Sequence, residues 1–305
     1  MNNKPTITIG IPAYNEEQNI ANMLDSVLAQ KGSFKLEKII VACDGCLDKT
    51  PDIVRKFQMQ NKNIILLEGK RREGKLYRLN QIYKRSKSDI LLTFDGDILL
   101  SNETVIEKMI SKLTEDKNVI LVVAHQVPVK PTNFKETIFY TAYKIWEETR
   151  VHVNEGDHIH NLQGAAVAMR AKLAKKLRYP KTLTTDQGYL YLFAKKYGKF
   201  KYAYQAIIFY RVVKTLKDFR RLSQRTLHQD QQTAAKHFGK EALNEYKIPV
   251  HNKLKALIIN FVKSPLFTSL AILVNLYVRL FPLNNNGKPE NKWKIVTTTK
   301  EVIHV

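Results

Sequence analysis

The strongest constraint in this chain is a pattern repeated through its first hundred residues: a short apolar run, a polar step, an amphipathic helix, then the same again. Residues 6–12 (TITIGIP) form a β-branched apolar run that reads as a buried strand. An amphipathic helix opens at Asn15 or Glu16 and continues to residue 30, with Ile20, Met23, Leu24, Val27 and Leu28 on one face. Residues 38–43 give a second strand, 50–61 a helix, 64–67 a third strand, 74–86 a helix, and 89–94 (DILLTF) a fourth strand. Strands and helices alternating at this spacing imply parallel strands joined by crossovers. On such sheets ligands bind beyond the carboxyl ends of the strands. The polar steps Tyr14-Asn15-Glu16, Asp44-Gly45 and Asp95-Gly96-Asp97 all fall at those ends, so three strands aim their chemistry at one crevice.

The second half is less regular. Residues 119–127 read as a strand and 134–150 as a helix. The stretch GAAVAMRAKLAKKL within 163–177 reads as a small-residue approach to a helix. Thr185-Asp186 precedes a helix over 187–197, then a strand over 202–210 and a long basic helix over 216–238. The predicted fold class is α/β: a doubly wound mixed sheet with helices on both faces.

Fifty Lys and Arg against 28 Asp and Glu give a formal charge of +22, a field that favours anionic partners or simply a lysine-rich surface. No nucleic-acid module or basic helix interleaved with aromatics is present, so nucleic acid is not an expected partner. The two cysteines, Cys43 and Cys46, lack a second pair or a nearby histidine for a zinc site. Their scarcity fits a reducing compartment. The N-terminal MNNKPTITIGIPAYNEE has no charged stretch leading into a long apolar run, which predicts that the start of the chain stays in the cytoplasm.

Asp95 and Asp97 directly after an apolar strand concentrate negative charge on a rigid mount. A divalent cation, Mn²⁺ or Mg²⁺, held by one or two carboxylates and substrate phosphates suits that placement, although Asp-Gly-Asp is also good turn chemistry. Asp44 after the second strand can accept from a base N–H or a ribose hydroxyl, or cap a turn.

The segments IPAYNEE (11–17), VACDGCLDKT (41–50), GKLYRLN (74–80) and LTFDGDILL (92–100), in this order and at these intervals, closely resemble the family 2 glycosyltransferases. The resemblance covers roughly residues 5–240 and is strongest through residue 110. It implies a GT-A fold and an inverting, metal-assisted transfer of sugar from a nucleotide-diphosphate sugar, with a UDP-sugar as the expected donor. Carried over residue by residue, Pro12, Ala13, Tyr14 and Glu16 line the nucleotide pocket, and Asp44 accepts from the base. Lys75 approaches the base or ribose, while Asn80 packs its helix. Asp95 touches ribose or metal, and Asp97 holds the metal that bridges the diphosphate. Cys43 and Cys46 replace the usual Asp and Ser of the second segment. The general base of the family corresponds to Asp186 in Thr184-Thr185-Asp186-Gln187, with Thr185 where Glu is usual; a helix cap is the other reading of Asp186. The Gln-x-x-Arg-Trp segment of processive synthases is not intact in RRLSQRTLHQD (220–230), which weakens any claim of polymer synthesis. Arg221 and Arg225 there are candidates for the diphosphate, and His228 reads as a surface histidine. His158, His160, Gln163 and Gly164 fall on the family's acceptor side; Trp146 reads rather as core.

Residues 254–281 are the most apolar stretch, broken at Lys263, Ser264 and Pro265. The 16 residues from 266 to 281 make about 24 Å of helix, short of the ~30 Å hydrocarbon core. Asn260, Ser264, Thr268, Ala271, Asn275 and Arg279 recur every three or four residues as a small, polar stripe, which puts one face on protein or headgroups and the other in lipid. Lys253, Lys255, Lys263 and Arg279 suit an anionic cytoplasmic leaflet. Residues 1–240 are therefore expected to be the catalytic domain (1–97 for the nucleotide, 98–240 for the acceptor). Residues 241–305 are expected to hold it at the cytoplasmic face of a membrane, facing a lipid-linked or saccharide acceptor. Two other readings are a nucleotidyltransferase and a non-catalytic nucleotide-sugar-binding module. The first lacks its Gly-rich basic loop after strand one; the second sits poorly with four carboxylates kept together.

Overall fold

The computed structural model describes residues 4–183, 185–225, 229–281 and 299–303. Eight strands form one sheet in the order β3-β2-β1-β4-β7-β6-β8-β5. They are β1 (Thr6–Ala13), β2 (Lys35–Cys43), β3 (Ile64–Glu68), β4 (Ile90–Phe94), β5 (Ile98–Leu100), β6 (Val119–Pro128), β7 (Ala166–Arg170) and β8 (Lys199–Tyr210). The first four pair in parallel, as the alternation predicts. Their registers align the exits: Ala13 lies opposite Cys43, and Gly10 opposite Thr93. Tyr14, Asp44 and Asp95 therefore leave the sheet side by side.

The second half turns the sheet mixed. β7 runs antiparallel to both β4 and β6, β8 is parallel to β6, and β5 is antiparallel to β8. Because Phe94 pairs with Ala166, the entry to β7 abuts the exit of β4, and Asp95 N–H donates to the Ala165 carbonyl at 2.9 Å. Residues 166–170, expected to lead into a helix, are thus a central strand; only Ala171–Lys176 is helical.

Side chains alternate across the strands, so each face carries its own core. Ile7, Ile9, Ile11, Ile39 and Val41 point to one side, where they meet α1 (Ile20–Leu28), α2 (Thr50–Gln60) and α4 (Val105–Thr114). Ile40, Ala42 and Leu91 point to the other, against α3 (Lys75–Arg85), α6 (Ala171–Lys176), α7 (Gln187–Lys195) and α9 (Asp230–Phe238). The expected helix over 216–238 is described as two, α8 (Leu216–Gln224) and α9; His228 and Thr184 lie outside the described residues. β1 carries a glycine where α3 crosses it: a Cβ on Gly10 would sit 2.3 Å from Ile82 Cγ2. The helix α1 begins at Ile20 rather than at Asn15, because Asn15 adopts a left-handed φ of 52°.

Past the sheet, α10 (Val250–Lys263) and α11 (Pro265–Leu280) break at Pro265, which sits in the first turn of α11, where a missing N–H costs nothing. Both pack on α5 (Phe134–Arg150), with Phe139, Ala142, Val213, Phe219, Ala271 and Val278 in a third cluster. Asn260, Thr268 and Ala271 are buried while Ile258, Val262, Leu266, Leu273 and Leu280 are exposed. The middle of the small, polar stripe therefore faces protein, with Arg279 at its end exposed, and the bulky apolar face looks outward. Among the described residues no helix is long and apolar enough to cross a membrane.

Candidate active site

The aligned strand exits open on a cavity of about 450 Å³. Pro12, Ala13, Tyr14 and Glu16 wall one side, and Asp44, Lys75, Asp95 and Asp97 lie along the floor. The far side is built by Tyr143, Trp146, His160, Gln163, Gln187 and Arg225, with Asn275 and Arg279 reaching in from α11. Trp146, expected in the core, is half-buried on this wall, edge-on to His160 at 4.9 Å.

Asp44 is spent on the loop that faces it. Its carboxylate accepts from the N–H groups of Glu73 and Gly74 and from Arg78 Nε, each at 2.8 Å. Arg78 is itself buried and also donates to the Arg71 carbonyl. Asp44 thus holds the 71–74 loop against the β2 exit, and Arg72 of that loop lies over the Tyr14 ring at 4.4 Å.

Lys75, at the start of α3, bridges two carboxylates from opposite halves of the chain. Its Nζ is 2.7 Å from Asp95 Oδ1 and 3.5 Å from Asp186 Oδ2, and it donates to the Gly164 carbonyl at 3.3 Å. Burial alone would depress the Lys75 ammonium; Asp95 and Asp186 outweigh it and hold its pKa above the ordinary value. Asp95 is pushed up by burial against the pull of Lys75. Gly164 has φ +67°, and a Cβ there would sit 2.8 Å from Asp186 Oδ2, so glycine is required on both counts. Asp186 precedes α7 but makes no cap hydrogen bond with its side chain. It is buried and does not itself line the cavity.

Glu16 is buried among acidic neighbours. Burial and then Asp97 push its carboxyl up to about 8, against the opposing pull of Lys300. Its Oε2 has no hydrogen-bond partner among the described residues. Among those residues no group of three or more His, Cys, Asp or Glu is in place to hold a metal unaided. Of the two carboxylates at the β4 exit, Asp95 is paired with Lys75, and Asp97 has no hydrogen-bond or ion-pair partner among the described residues.

Three expected residues fall elsewhere. His158 does not line the cavity: it is buried, accepts from His160 N–H, and its Nε2 meets the Lys247 carbonyl at 3.3 Å. Arg221 stays off the wall beside Asp218 at 3.4 Å. Gly164 acts through its backbone behind the wall rather than on it. His160 does line the cavity, with its Nε2 3.1 Å from the Tyr246 carbonyl, and burial lowers its pKa to about 4, so the ring is neutral. The cysteines are free. Cys46 Sγ accepts from Asn15 N–H at 3.5 Å and donates to the Ala13 carbonyl at 3.6 Å, bracing the first turn.

Other lining residues gave no local signal. Asp230, the last residue of the 220–230 segment but not itself singled out there, accepts from Thr185 Oγ1, Tyr246 Oη and Gly188 N–H at 2.7–3.1 Å. Gln126 on β6 is buried with its Nε2 unpartnered among the described residues. Lys300 reaches the Tyr14–Glu16 turn from far along the chain. Gln126 falls within the strand read over 119–127, but nothing marked it as a cavity residue, and nothing local pointed to Lys300.

Among solved structures, the chain is similar to the mannosyltransferase PcManGT of Pyrobaculum calidifontis in complex with GDP-Man and Mn²⁺ (TM-score 0.59, 19% identity, covering 92% of this chain and 77% of that one). It is also similar to residues 1–349 of S. aureus TarS in complex with UDP-GlcNAc (TM-score 0.51, 18% identity, 90% and 87%). These likenesses show the fold, which is GT-A. Among curated relatives, a dolichyl-phosphate beta-glucosyltransferase of Trichomonas vaginalis, ALG5A, is 28% identical over 125 residues, 38% of this chain and 39% of that protein. Glycosyltransferase AglE of Haloferax volcanii is 30% identical over 93 residues, 30% of this chain and 31% of that one. The chain thus matches well under half the length of these relatives. The family model described as Glycosyl transferase family 2 matches residues 8–178, more than half of the chain, and the chain belongs to that family.

Proposed function

We propose that this protein is an inverting sugar transferase that takes its donor as a nucleoside-diphosphate sugar, a UDP-sugar in the first instance, and serves a lipid-linked acceptor at an anionic membrane surface. The observation that carries the reading is the make-up of one cavity: three strand exits bearing Tyr14, Asp44 and Asp95-Gly96-Asp97 at one end, Trp146, Gln163 and α11 at the other. The first end suits a nucleotide. The second is half apolar and is built partly by a helix whose outer face exposes Leu266, Leu273 and Leu280. Lysines 253, 255 and 263 flank that face and complement anionic headgroups.

The donor set fits a hard divalent cation: Asp97 and Asp95 supply oxygen ligands, and Glu16 Oε2 is a further unpartnered oxygen nearby. Mn²⁺ or Mg²⁺ held there would neutralise charge building on the leaving diphosphate. Arg225, half-buried on the opposite wall, supplies a positive charge toward the same region. Asp186 is our candidate to take the proton from an acceptor hydroxyl. Its contact with Lys75 means the ammonium must move toward the donor's phosphates for the carboxylate to act as base.

That contact also favours a second reading. A phosphate acceptor is already anionic and needs no general base, which suits a carboxylate that is paired and off the cavity wall. The Trichomonas relatives are named as dolichyl-phosphate transferases. Thermal unfolding of the protein with UDP, GDP and a panel of their sugars, with and without Mn²⁺, tests the core of the proposal. A ligand that binds only the native state raises the melting temperature. No shift with any nucleotide in Mn²⁺ would refute it.

A further inference from the structure

Residues 299–303, which follow α11 in the chain, lie beside the cavity, and Thr299 and Lys300 form part of its wall. Lys300 Nζ donates to the carbonyls of Tyr14, at 2.6 Å, and Asn15, at 3.3 Å, and pairs with the Glu16 carboxylate. All three donors of the ammonium are thereby used on one turn. The segment is fastened to both halves of the chain. On the nucleotide side Asn19 Nδ2 donates to the Lys300 carbonyl at 2.7 Å. On the other side Arg211 Nε donates to the Val302 carbonyl at 2.9 Å, and Lys214 pairs with Glu301 at 2.5 Å and Glu136 at 3.0 Å. Ile303 is buried.

The turn that Lys300 grips is tied to residues 46–50, yet two of its carbonyls and one carboxylate are left for Lys300. Asn15 sits in the left-handed region, with φ 52°, a conformation asparagine adopts more readily than other non-glycine residues but one that its surroundings must still hold. Glu16 is a buried carboxylate with acidic neighbours. Local restraints exist (Cys46 Sγ accepts from Asn15 N–H, Asn15 Oδ1 accepts from Leu47 N–H at 2.8 Å, Thr50 Oγ1 accepts from Glu16 N–H, and Glu17 exchanges bonds with the Asp48 carboxylate and Lys49 N–H), but none of them bonds the Tyr14 and Asn15 carbonyls or meets the Glu16 charge. Lys300 does both.

We infer that residues 299–303 are a clasp that completes the donor pocket, and that Lys300 is a positioning residue: it acts on the nucleotide by fixing Tyr14, Asn15 and Glu16. The inference rests on the reading of this cavity as a nucleoside-diphosphate site. The alternative, in which the clasp occludes the pocket, fits the contacts less well. The Lys300 amine is turned onto the wall's carbonyls, leaving the Asp97 carboxylate on the cavity side without a hydrogen-bond or ion-pair partner among the described residues.

The test compares the full chain with a chain ending at residue 298 and with Lys300→Met and Lys300→Arg, by calorimetric titration of UDP and of GDP in Mn²⁺ and by donor hydrolysis kinetics. The expected result is a Kd and a donor KM raised about tenfold in the shortened chain and in Lys300→Met, the scale of one charge-assisted hydrogen bond. The kcat should stay within about twofold, and Lys300→Arg should regain most of the affinity. Equal or tighter nucleotide binding by the shortened chain would overturn the clasp, as would a fall in melting temperature with Kd unchanged. A full chain that binds neither nucleotide would overturn the site reading itself, and the clasp with it.

Discussion

Replacing Asp44 with Asn should damage the protein's stability more than its chemistry. The carboxylate and the Arg78 guanidinium are each about 5% exposed in their side chains, and the bond between them is 2.8 Å. Asn keeps the shape but removes the charge, and only one of its two terminal atoms accepts. One of the N–H groups of Glu73 and Gly74 would then face an NH₂, and Arg78 would keep its bonds to Gln81 and Arg71 but lose its counter-ion. Breaking a buried pair from one side costs about 3–5 kcal/mol. Against a total stability of about 5–15 kcal/mol, that is a large fraction. Urea unfolding followed by fluorescence should show a midpoint shift with an unchanged slope. Arg78→Met alone should cost a similar amount, and the double variant clearly less than the sum of the two. If Asp44→Asn unfolded like the parent and only bound UDP more weakly, the loop-anchoring argument would be wrong and Asp44 would be a direct base contact.

Four further outcomes follow from the same geometry. Asp97→Asn should abolish the Mn²⁺-dependent part of UDP binding in calorimetry while leaving the melting temperature within a degree or two. Asp186→Asn should keep donor affinity and lower transfer to a hydroxyl acceptor by about 10²–10⁴-fold; a loss under tenfold would support the phosphate acceptor. Leu273→Glu with Leu276→Glu should weaken co-sedimentation with phosphatidylserine vesicles at low salt, without affecting nucleotide binding; undiminished sedimentation would refute a membrane role for α11. Burial lowers the pKa values of both His125 and His160 to about 4, from an ordinary 6.5. The unfolded chain therefore binds more protons between those values, so stability should fall as pH drops from 6.5 toward 4. His160→Asn should flatten that slope in pH-dependent urea titrations.

The parallel half was legible because strands buried on both faces read as apolar runs closed by turn residues, and each run here ends in a polar step. The antiparallel half was not. β7 is Ala-Val-Ala-Met-Arg, good helix formers apart from Val, and pairing with β4 and β6 on either side overrides that preference. β5 is three residues long and exists through its pairing with β8. Asp95, Asp97 and Glu16 were readable at the sheet's edge, since position along a strand fixes where its exit lies. The Lys75–Asp186 contact was not, because it joins a helix start in one half to a helix start in the other. Lys300 was least legible of all: it and Tyr14 stand 286 positions apart.

The charges in the cavity argue for what the site awaits. The chain carries a large excess of cations, and the carboxylates around the strand exits have taken partners from it: Asp44 has Arg78, Asp95 and Asp186 share Lys75, and Glu16 has Lys300. Asp230 has no cation but is satisfied by a hydroxyl, a phenol and an N–H. Among the described residues that line the cavity, Asp97 is the one carboxylate with neither a hydrogen bond nor an ion pair. A surface carboxylate left so would need no explanation, since water would solvate it. Asp97 is half-buried, two residues from the half-buried Lys75–Asp95 pair and beside the buried Glu16, whose own charge it opposes. With 50 Lys and Arg in the chain, a resident cation could have been supplied at this point, as it was at Asp95. Its omission leaves a negative position facing the same space as Arg225. That pairing of an unpartnered carboxylate with a guanidinium across the cavity is what supports the proposed roles of Asp97 toward a divalent cation and of Arg225 toward a diphosphate.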